Sequence, residues 1–175
     1  HWMVRRQRQM CIRDRLIYII NHANDKILII DLDLVPIIDK IILDCPNIEK
    51  LVILCSKADL PSTKFLNVIS YEELLSLGNE NFEWISGEET DACGICYTSG
   101  TTGNPKGVVY THRSNTLHAL TQAAPDMLNL SSTDTIMPVV PLFHANGWSI
   151  AYTAPLVGSA IVFPGGDLSP SSLYE

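Results

Sequence analysis

Apolar residues along this chain fall into short blocks that alternate between two patterns, an unbroken branched run and a three-and-four spacing. Lys26-Ile-Leu-Ile-Ile30, ending at Asp31, is of the first kind and reads as a strand buried on both faces. Leu51-Val-Ile-Leu54, Gly94 to Tyr97, Val108 to Tyr110, Thr135 to Val140 and Ala160 to Phe163 read as further strands. Between them, Leu34 to Leu43 carries Ile37, Ile38, Ile41 and Ile42 at helical spacing and is closed by Cys45-Pro46, which predicts an amphipathic helix. Leu16 to Ala23 and Gly147 to Val157 are also expected to be helical, and Ser169-Pro170 resembles a helix start. Ser70-Tyr-Glu-Glu73 has the form of a capping box and opens a short helix that stops at Gly78. Thr111 is placed to cap a helix running to about Met127. Ser56 to Asn67, with Pro61, is loop, and Asn79 to Asp91 is an acidic linker. Strands separated by helices predict an α/β fold of layered, mostly parallel sheets flanked by helices.

Length and composition fit a globular domain: 175 residues, 46% hydrophobic and 18% charged. The charge is unevenly placed. Residues 1–15 hold five arginines against Asp14, a local +4, so the other 160 residues carry −11 of the total −7. An acidic body argues against non-specific nucleic-acid binding and against docking on anionic lipid by charge alone. That basic start has no helical or strand periodicity, and Met10-Cys-Ile-Arg-Asp14 matches one reading frame of a common sequencing-library adapter. Residues 1–15 are therefore expected to be a non-native, adapter-derived segment, with a disordered native basic tail as the alternative, and residues 16–175 the domain proper. The apolar run Leu16 to Ile20 is shorter than the ~7–15 residues of a signal-peptide core. No run approaches the ~20 apolar residues that span a bilayer, so a soluble protein with no transmembrane segment is expected. Five cysteines at irregular spacing make a poor disulfide framework and fit a reducing cytoplasm. Cys93-Gly-Ile-Cys96 spells C-x-x-C, but no second pair or His cluster completes a zinc set, and incidental small core cysteines are the simpler reading.

Candidate chemistry concentrates in Thr98-Ser-Gly-Thr-Thr-Gly-Asn-Pro-Lys-Gly107: four hydroxyl side chains, three glycines and one lysine in ten residues. Glycines let backbone N–H groups face an anion without a Cβ in the way, hydroxyls add donors, and Lys106 adds a positive point charge. In so acidic a chain such an island suits a polyphosphate, and it follows a strand, where α/β sheets place ligand loops. Neither the Walker pattern G-x-x-x-x-G-K-[ST] nor G-x-G-x-x-G occurs here. A bare S-G-x-x-G is usually only a turn; the ten-residue string is far more specific.

The longer string YTSGTTGNPKGVVYTHR resembles the first signature of the adenylate-forming superfamily, which includes acyl-CoA synthetases, luciferases and the adenylation domains of peptide synthetases. Tyr18 to Asp25 and Pro138-Val-Val-Pro-Leu-Phe-His-Ala-Asn-Gly-Trp148 resemble its fatty acyl-CoA synthetase branch, including medium-chain and methylthio-acid relatives. The resemblance covers Leu16 to Glu175 and implies an incomplete part of the large N-terminal domain of such an enzyme. It implies a two-step reaction: a carboxylate attacks the α-phosphorus of Mg-ATP, giving acyl-adenylate and pyrophosphate, and the thiol of coenzyme A then displaces AMP. By position, Thr98 matches the residue that contacts ATP phosphate and helps hold Mg²⁺, while Ser99, Gly100, Thr101, Thr102, Gly103 and Lys106 match the phosphate loop. His144 matches an aromatic–His pair near the bound carboxylate and adenylate phosphate, although a lone His is more often a hydrogen-bonded core residue. Trp148 matches a tryptophan gating the acyl tunnel; from the residues alone a Trp beside a Gly reads as core. His22, His112 and His118 read as structural or surface residues, and Arg113 as a cap or ion-pair partner on the helix after the loop.

By the same resemblance a homodimer through this domain is expected. The family's aromatic-Gly-x-Thr-Glu motif, ribose-binding Asp, hinge and C-terminal lysine do not occur in these residues, and the chain reads as cut at both ends, with no ligase activity of its own. Two alternatives stay open: another adenylate-forming ligase, for an aryl or amino acid, or a non-catalytic nucleotide-binding module that kept the loop.

Overall fold

The computed structural model describes residues 2–98, 103–140, 142, 144–165 and 168–174, with side chains from residue 12 onward and excepting those of residues 145 and 146. The chain divides into two compact units: residues 1–84 with 99–106, and residues 85–98 with 107–175.

The first unit begins with helix α1, Trp2–Ala23, which starts well before the expected Leu16. Periodicity reports burial rather than helicity, and Arg, Gln and Met are good helix formers without an apolar stripe. Arg13 on this helix pairs with Asp44 at 2.8 Å, and Asn21 donates to the Asp44 carbonyl. Three strands follow, β1 (Ile27–Asp31), β2 (Lys50–Leu54) and β3 (Val68–Ser70), forming one parallel sheet in the order β1-β2-β3. The register aligns Ile29 with Val52 and Val52 with Ile69. The central strand β2 is covered on both sides, and Leu51, Val52 and Ile53 have no exposure at all.

Two expectations need correction here. β1 is not buried on both faces: Ile30 is buried, but Ile27 and Ile29 are 57% and 58% exposed. Side chains alternate faces along a strand, and only the Leu28 and Ile30 side of β1 meets the core. The single helix expected over Leu34 to Leu43 is broken into α2 (Val35–Ile38), with Pro36 in its first turn, and a 3-10 turn at Ile42–Asp44. Repeated β-branched isoleucines hold a long helix poorly. The bend between the two pieces still delivers Val35, Ile38, Ile41, Ile42 and Cys45 to the core with Ile20, Ile48 and Ile53. Each such side chain contributes about 1.5–3 kcal/mol by leaving water. Helix α3, Tyr71–Ser76, is capped as expected, with the buried Ser70 hydroxyl accepting from the Glu73 amide.

In the second unit, β4 (Ala92–Thr98) pairs with β5 (Lys106–Thr111), whose first residue belongs to the other unit. Helix α4, His112–Ala123, is capped by Thr111 in a box closed by Ser114 and ends four residues earlier than expected, before Pro125. The Arg113 side chain pairs with Glu89. β6 (Thr135–Ile136) and β7 (Ala160–Ile161) are shorter than expected and pair in parallel. Between them lie α5 (Ala145–Trp148) and α6 (Ile150–Val157), and α7 (Pro170–Tyr174) follows. Helices α4 and α6 pack together, burying Asn115, Ala119 and Gln122 on one and Ile150, Thr153 and Ala154 on the other. Among the described residues no helix is long and apolar enough to cross a membrane.

Candidate functional site

The Gly- and Thr-rich segment connects two paired strands: β4 ends on Thr98 and β5 opens on Lys106. Both residues are exposed. Ser99, Gly100, Thr101 and Thr102, which the sequence singles out, lie outside the described residues. Gly103 stands at φ +92, a backbone conformation that favours glycine, and a Cβ built there would meet nothing within 4 Å. Its requirement is conformational, since the space a side chain would take is open. No ion pair engages Lys106 among the described residues.

Gly107, directly after the lysine, is glycine for a different reason. A Cβ there would lie 2.6 Å from Ile95 Cδ1 and 3.3 Å from the Tyr97 ring, so the strand that leads into the loop packs against the strand that leaves it. The C-x-x-C cysteines sit on β4. Cys93 Sγ approaches the Tyr110 carbonyl at 3.5 Å and accepts from Asn115 Nδ2 at 3.2 Å. Neither is part of a disulfide, and three residues apart on a strand they point to opposite faces. Among the described residues no three His, Cys, Asp or Glu side chains gather as a metal site.

His144 is exposed, and its carbonyl accepts from the Gly147 amide at 3.0 Å. Trp148, four residues on, is 53% exposed rather than core. Both belong to the second unit, as does Thr98, whereas Gly103 and Lys106 fall in the first.

The backbone between His144 and α6 is unusual. Gly147, Trp148 and Ser149 take φ of 58°, 56° and 60° in succession. Only the first is a glycine, and a Cβ on it would strike Leu142 Cδ2 at 2.7 Å. For the other two the left-handed region costs roughly 1–2 kcal/mol each, and such strain persists only where surrounding contacts over-determine it. Ser149 is 2% exposed, and its hydroxyl lies 2.6 Å from His118 Nδ1. Gln122 Nε2 lies 3.2 Å from the other ring nitrogen of His118. The sequence reading left His118 as structural or surface and did not single out Ser149; no residue pattern signals a bond between positions 31 apart.

A cavity of about 650 Å³ opens between α4, α6 and the start of β4, lined by Cys93, His112, Asn115, Ala119, Tyr152 and Leu156 among others. Of these, the sequence analysis weighs only Cys93, within C-x-x-C, and His112, as a structural or surface residue.

Comparison with known proteins gives this arrangement its context. A medium-chain fatty acid–CoA ligase of Ectopseudomonas oleovorans is 45% identical over 162 residues, which is 93% of this chain and 30% of that protein. A 3-methylmercaptopropionyl-CoA ligase of Ruegeria pomeroyi is 39% identical over 160 residues, 91% of this chain and 30% of its own. Among solved structures, an anthranilate–CoA ligase in complex with anthranoyl-AMP superposes with a TM-score of 0.74 at 24% identity, over 92% of this chain and 30% of that one, and shows the same fold. The chain thus spans about a third of the length of the curated relatives it matches. The AMP-binding enzyme family matches residues 11–175, nearly the whole chain, and the chain belongs to that family.

Proposed function

We propose that this chain is part of an ATP-dependent acid–CoA ligase that activates a medium- or long-chain fatty acid, or a methylthio acid, as its acyl-adenylate and passes it to coenzyme A. The observation that carries the reading is the Gly- and Thr-rich loop held between paired strands β4 and β5, with exposed Thr98 and Lys106 at its ends, in a chain 45% identical to a medium-chain ligase. The open backbone at Gly103 fits a polyphosphate.

In this reading the substrate carboxylate oxygen bonds to the α-phosphorus of ATP as the bond to pyrophosphate breaks. The thiol sulfur of coenzyme A then bonds to the acyl carbon as AMP leaves. Little of this needs a covalent role for the protein. Positioning and charge neutralisation carry the rate, and Lys106 with Ser99, Thr101, Thr102 and the backbone at Gly100 and Gly103 supplies both. Mg²⁺, when bound, offsets phosphate charge. Thr98 offers it a hydroxyl oxygen, and one protein oxygen beside phosphates and waters suits this ion. His144 lies beside the carboxylate and the adenylate phosphate, and Trp148 gates the acyl path. The same relationship supports a cytoplasmic, homodimeric enzyme, the latter checked by light scattering.

The test is acid-dependent ATP–pyrophosphate exchange by the complete enzyme that carries this segment, run against a panel of acids. Exchange driven by fatty or methylthio acids is expected, with the ranking by chain length altered in Trp148→Ala. Preference for aryl or amino acids would move the protein to another ligase class, and nucleotide binding without exchange for any acid would favour the non-catalytic module.

A further inference from the structure

We infer that His118 is a positioning residue for Trp148: through the Ser149 hydroxyl it locks the Trp148–Ser149 turn in its left-handed form and so fixes where the indole stands. The inference rests on the reading of Trp148 as the acyl gate. The chain itself provides the comparison that supports it. Among the described residues, Ser or Thr stands directly before four helices, at Ser70, Thr111, Ser149 and Ser169. Ser70 before α3 and Thr111 before α4 lie in extended backbone, φ −74° and −99°, and their hydroxyls accept from the helix amides three residues on. That is the ordinary conformation and the ordinary bond for this position. Ser149 before α6 has neither. Its backbone is left-handed, φ 60° and ψ 12°, and its side chain makes no capping bond.

The hydroxyl is engaged by His118 Nδ1 at 2.6 Å instead. With the Gln122 amide nitrogen 3.2 Å from Nε2, Nε2 accepts and Nδ1–H donates to Ser149, so Gln122 sets the tautomer. Gln122 is itself buried on α4. The Ser149 carbonyl is meanwhile fixed by the amides of Tyr152 and Thr153 at 2.9 and 2.8 Å and by the Thr153 hydroxyl at 3.0 Å. Those carbonyl bonds are ones an ordinary helix start also makes, so it is the hydroxyl, engaged by His118, that is withheld from capping α6, and Trp148, one peptide earlier at φ 56°, is carried with it. Without the imidazole, the Ser149 hydroxyl is free to cap α6, which turns the preceding peptide and moves the indole.

The test has two arms. In the 175-residue chain with Trp2 and Trp84 replaced by Phe, Trp148 is the sole tryptophan. His118→Ala and Ser149→Ala are expected to lower its fluorescence anisotropy and shift its emission maximum. His118→Asn, whose amide can replace Nδ1–H, is expected to restore both. Because Ser149→Ala breaks the same bond without touching α4, it carries the test if His118→Ala does not fold. An indole signal unchanged in both alanine variants, with circular dichroism showing them folded, overturns the inference. In the second arm, the complete ligase is assayed for acyl chain-length ranking. His118→Ala should alter the ranking, and should add nothing in a Trp148→Ala background. If Trp148→Ala leaves the ranking unmoved while the spectroscopic arm holds, the gate reading falls and the positioning role stands. If His118→Ala and Trp148→Ala shift the ranking additively, His118 acts by another route and the inference fails.

Discussion

Gly107 shows how closely a single methyl group is contested where the loop rejoins the sheet. Its missing Cβ would sit 2.6 Å from Ile95 Cδ1, 3.2 Å from Ile95 Cγ1 and 3.3 Å from Tyr97 Cζ, so an added methyl must push two side chains of the neighbouring strand at once. Gly107→Ala is expected to destabilise by about 1–3 kcal/mol, the usual cost of overpacking. Ile95→Val, which removes the nearest carbon, should recover part of that loss, as read from urea midpoints at an unchanged slope. A second residue-scale effect is electrostatic. The Lys57 ammonium, 2.7 Å from Glu73 and hydrogen-bonded to it, holds the Glu73 carboxyl below its ordinary value of 4.5, helped by the Ser70 hydroxyl and amide. A carboxylate lowered in this way adds stability that is fully present above its unfolded pKa and is lost as pH falls through the folded one. The unfolding midpoint should therefore fall more steeply below about pH 4.5 in the native chain than in Lys57→Gln. The difference should shrink in high salt, because the lysine is largely exposed.

At the scale of elements, the contrast between β1 and β2 yields the sharpest stability prediction. Ile53 is fully buried in the central strand and Ile29 is 58% exposed on the edge strand, although both sit in unbroken apolar runs. Ile53→Ala should cost about 2–5 kcal/mol in chemical denaturation, whereas Ile29→Ala should stay within about 0.5 kcal/mol. Equal effects would show that the two strands are buried alike. The runs themselves were legible, because a parallel strand announces itself by its composition, but the number of covered faces depends on what packs above and below. The same limit explains β3, which went unread: Val68-Ile69 supplies only two apolar residues before Ser70, and its strand geometry comes from pairing with Leu51, Val52 and Ile53. The caps at Ser70 and Thr111 were legible because capping is local, a hydroxyl reaching an amide three residues on. Of the candidate site, the loop is marked in the sequence by its glycines and hydroxyls, and Ser99, Gly100, Thr101 and Thr102 lie outside the described residues. The turn at Trp148–Ser149 could not, since its left-handed backbone is imposed by His118 on a different helix.

For the whole molecule the relevant quantity is apolar surface left in water. Leu66 is 98% exposed, Ile85 92%, Trp84 89%, Leu43 75% and Leu77 70%, and the side chains of Phe163, Ile29 and Ile27 are each more than half exposed. Single exposed apolar residues are common in folded proteins, and side chains this open to water offer contacts to a hydrophobic probe. The chain matches about 30% of the length of its ligase relatives, so most of a relative's mass lies in segments with no counterpart here. Two consequences follow for the purified 175-residue chain. It should bind a hydrophobic dye such as anilinonaphthalene sulfonate while its far-ultraviolet circular dichroism remains that of a folded α/β protein. It should also form no acyl-CoA from ATP, coenzyme A and a fatty acid above the rate without enzyme, because positioning two substrates and a polyphosphate takes groups converging from several sides. In the proposed reading, the loop with Thr98 and Lys106, together with His144, is only part of that set. Acyl-CoA formed at a rate proportional to chain concentration, and lost in Lys106→Ala, would show that these residues suffice for catalysis and that the remaining two thirds of a ligase serve some other purpose.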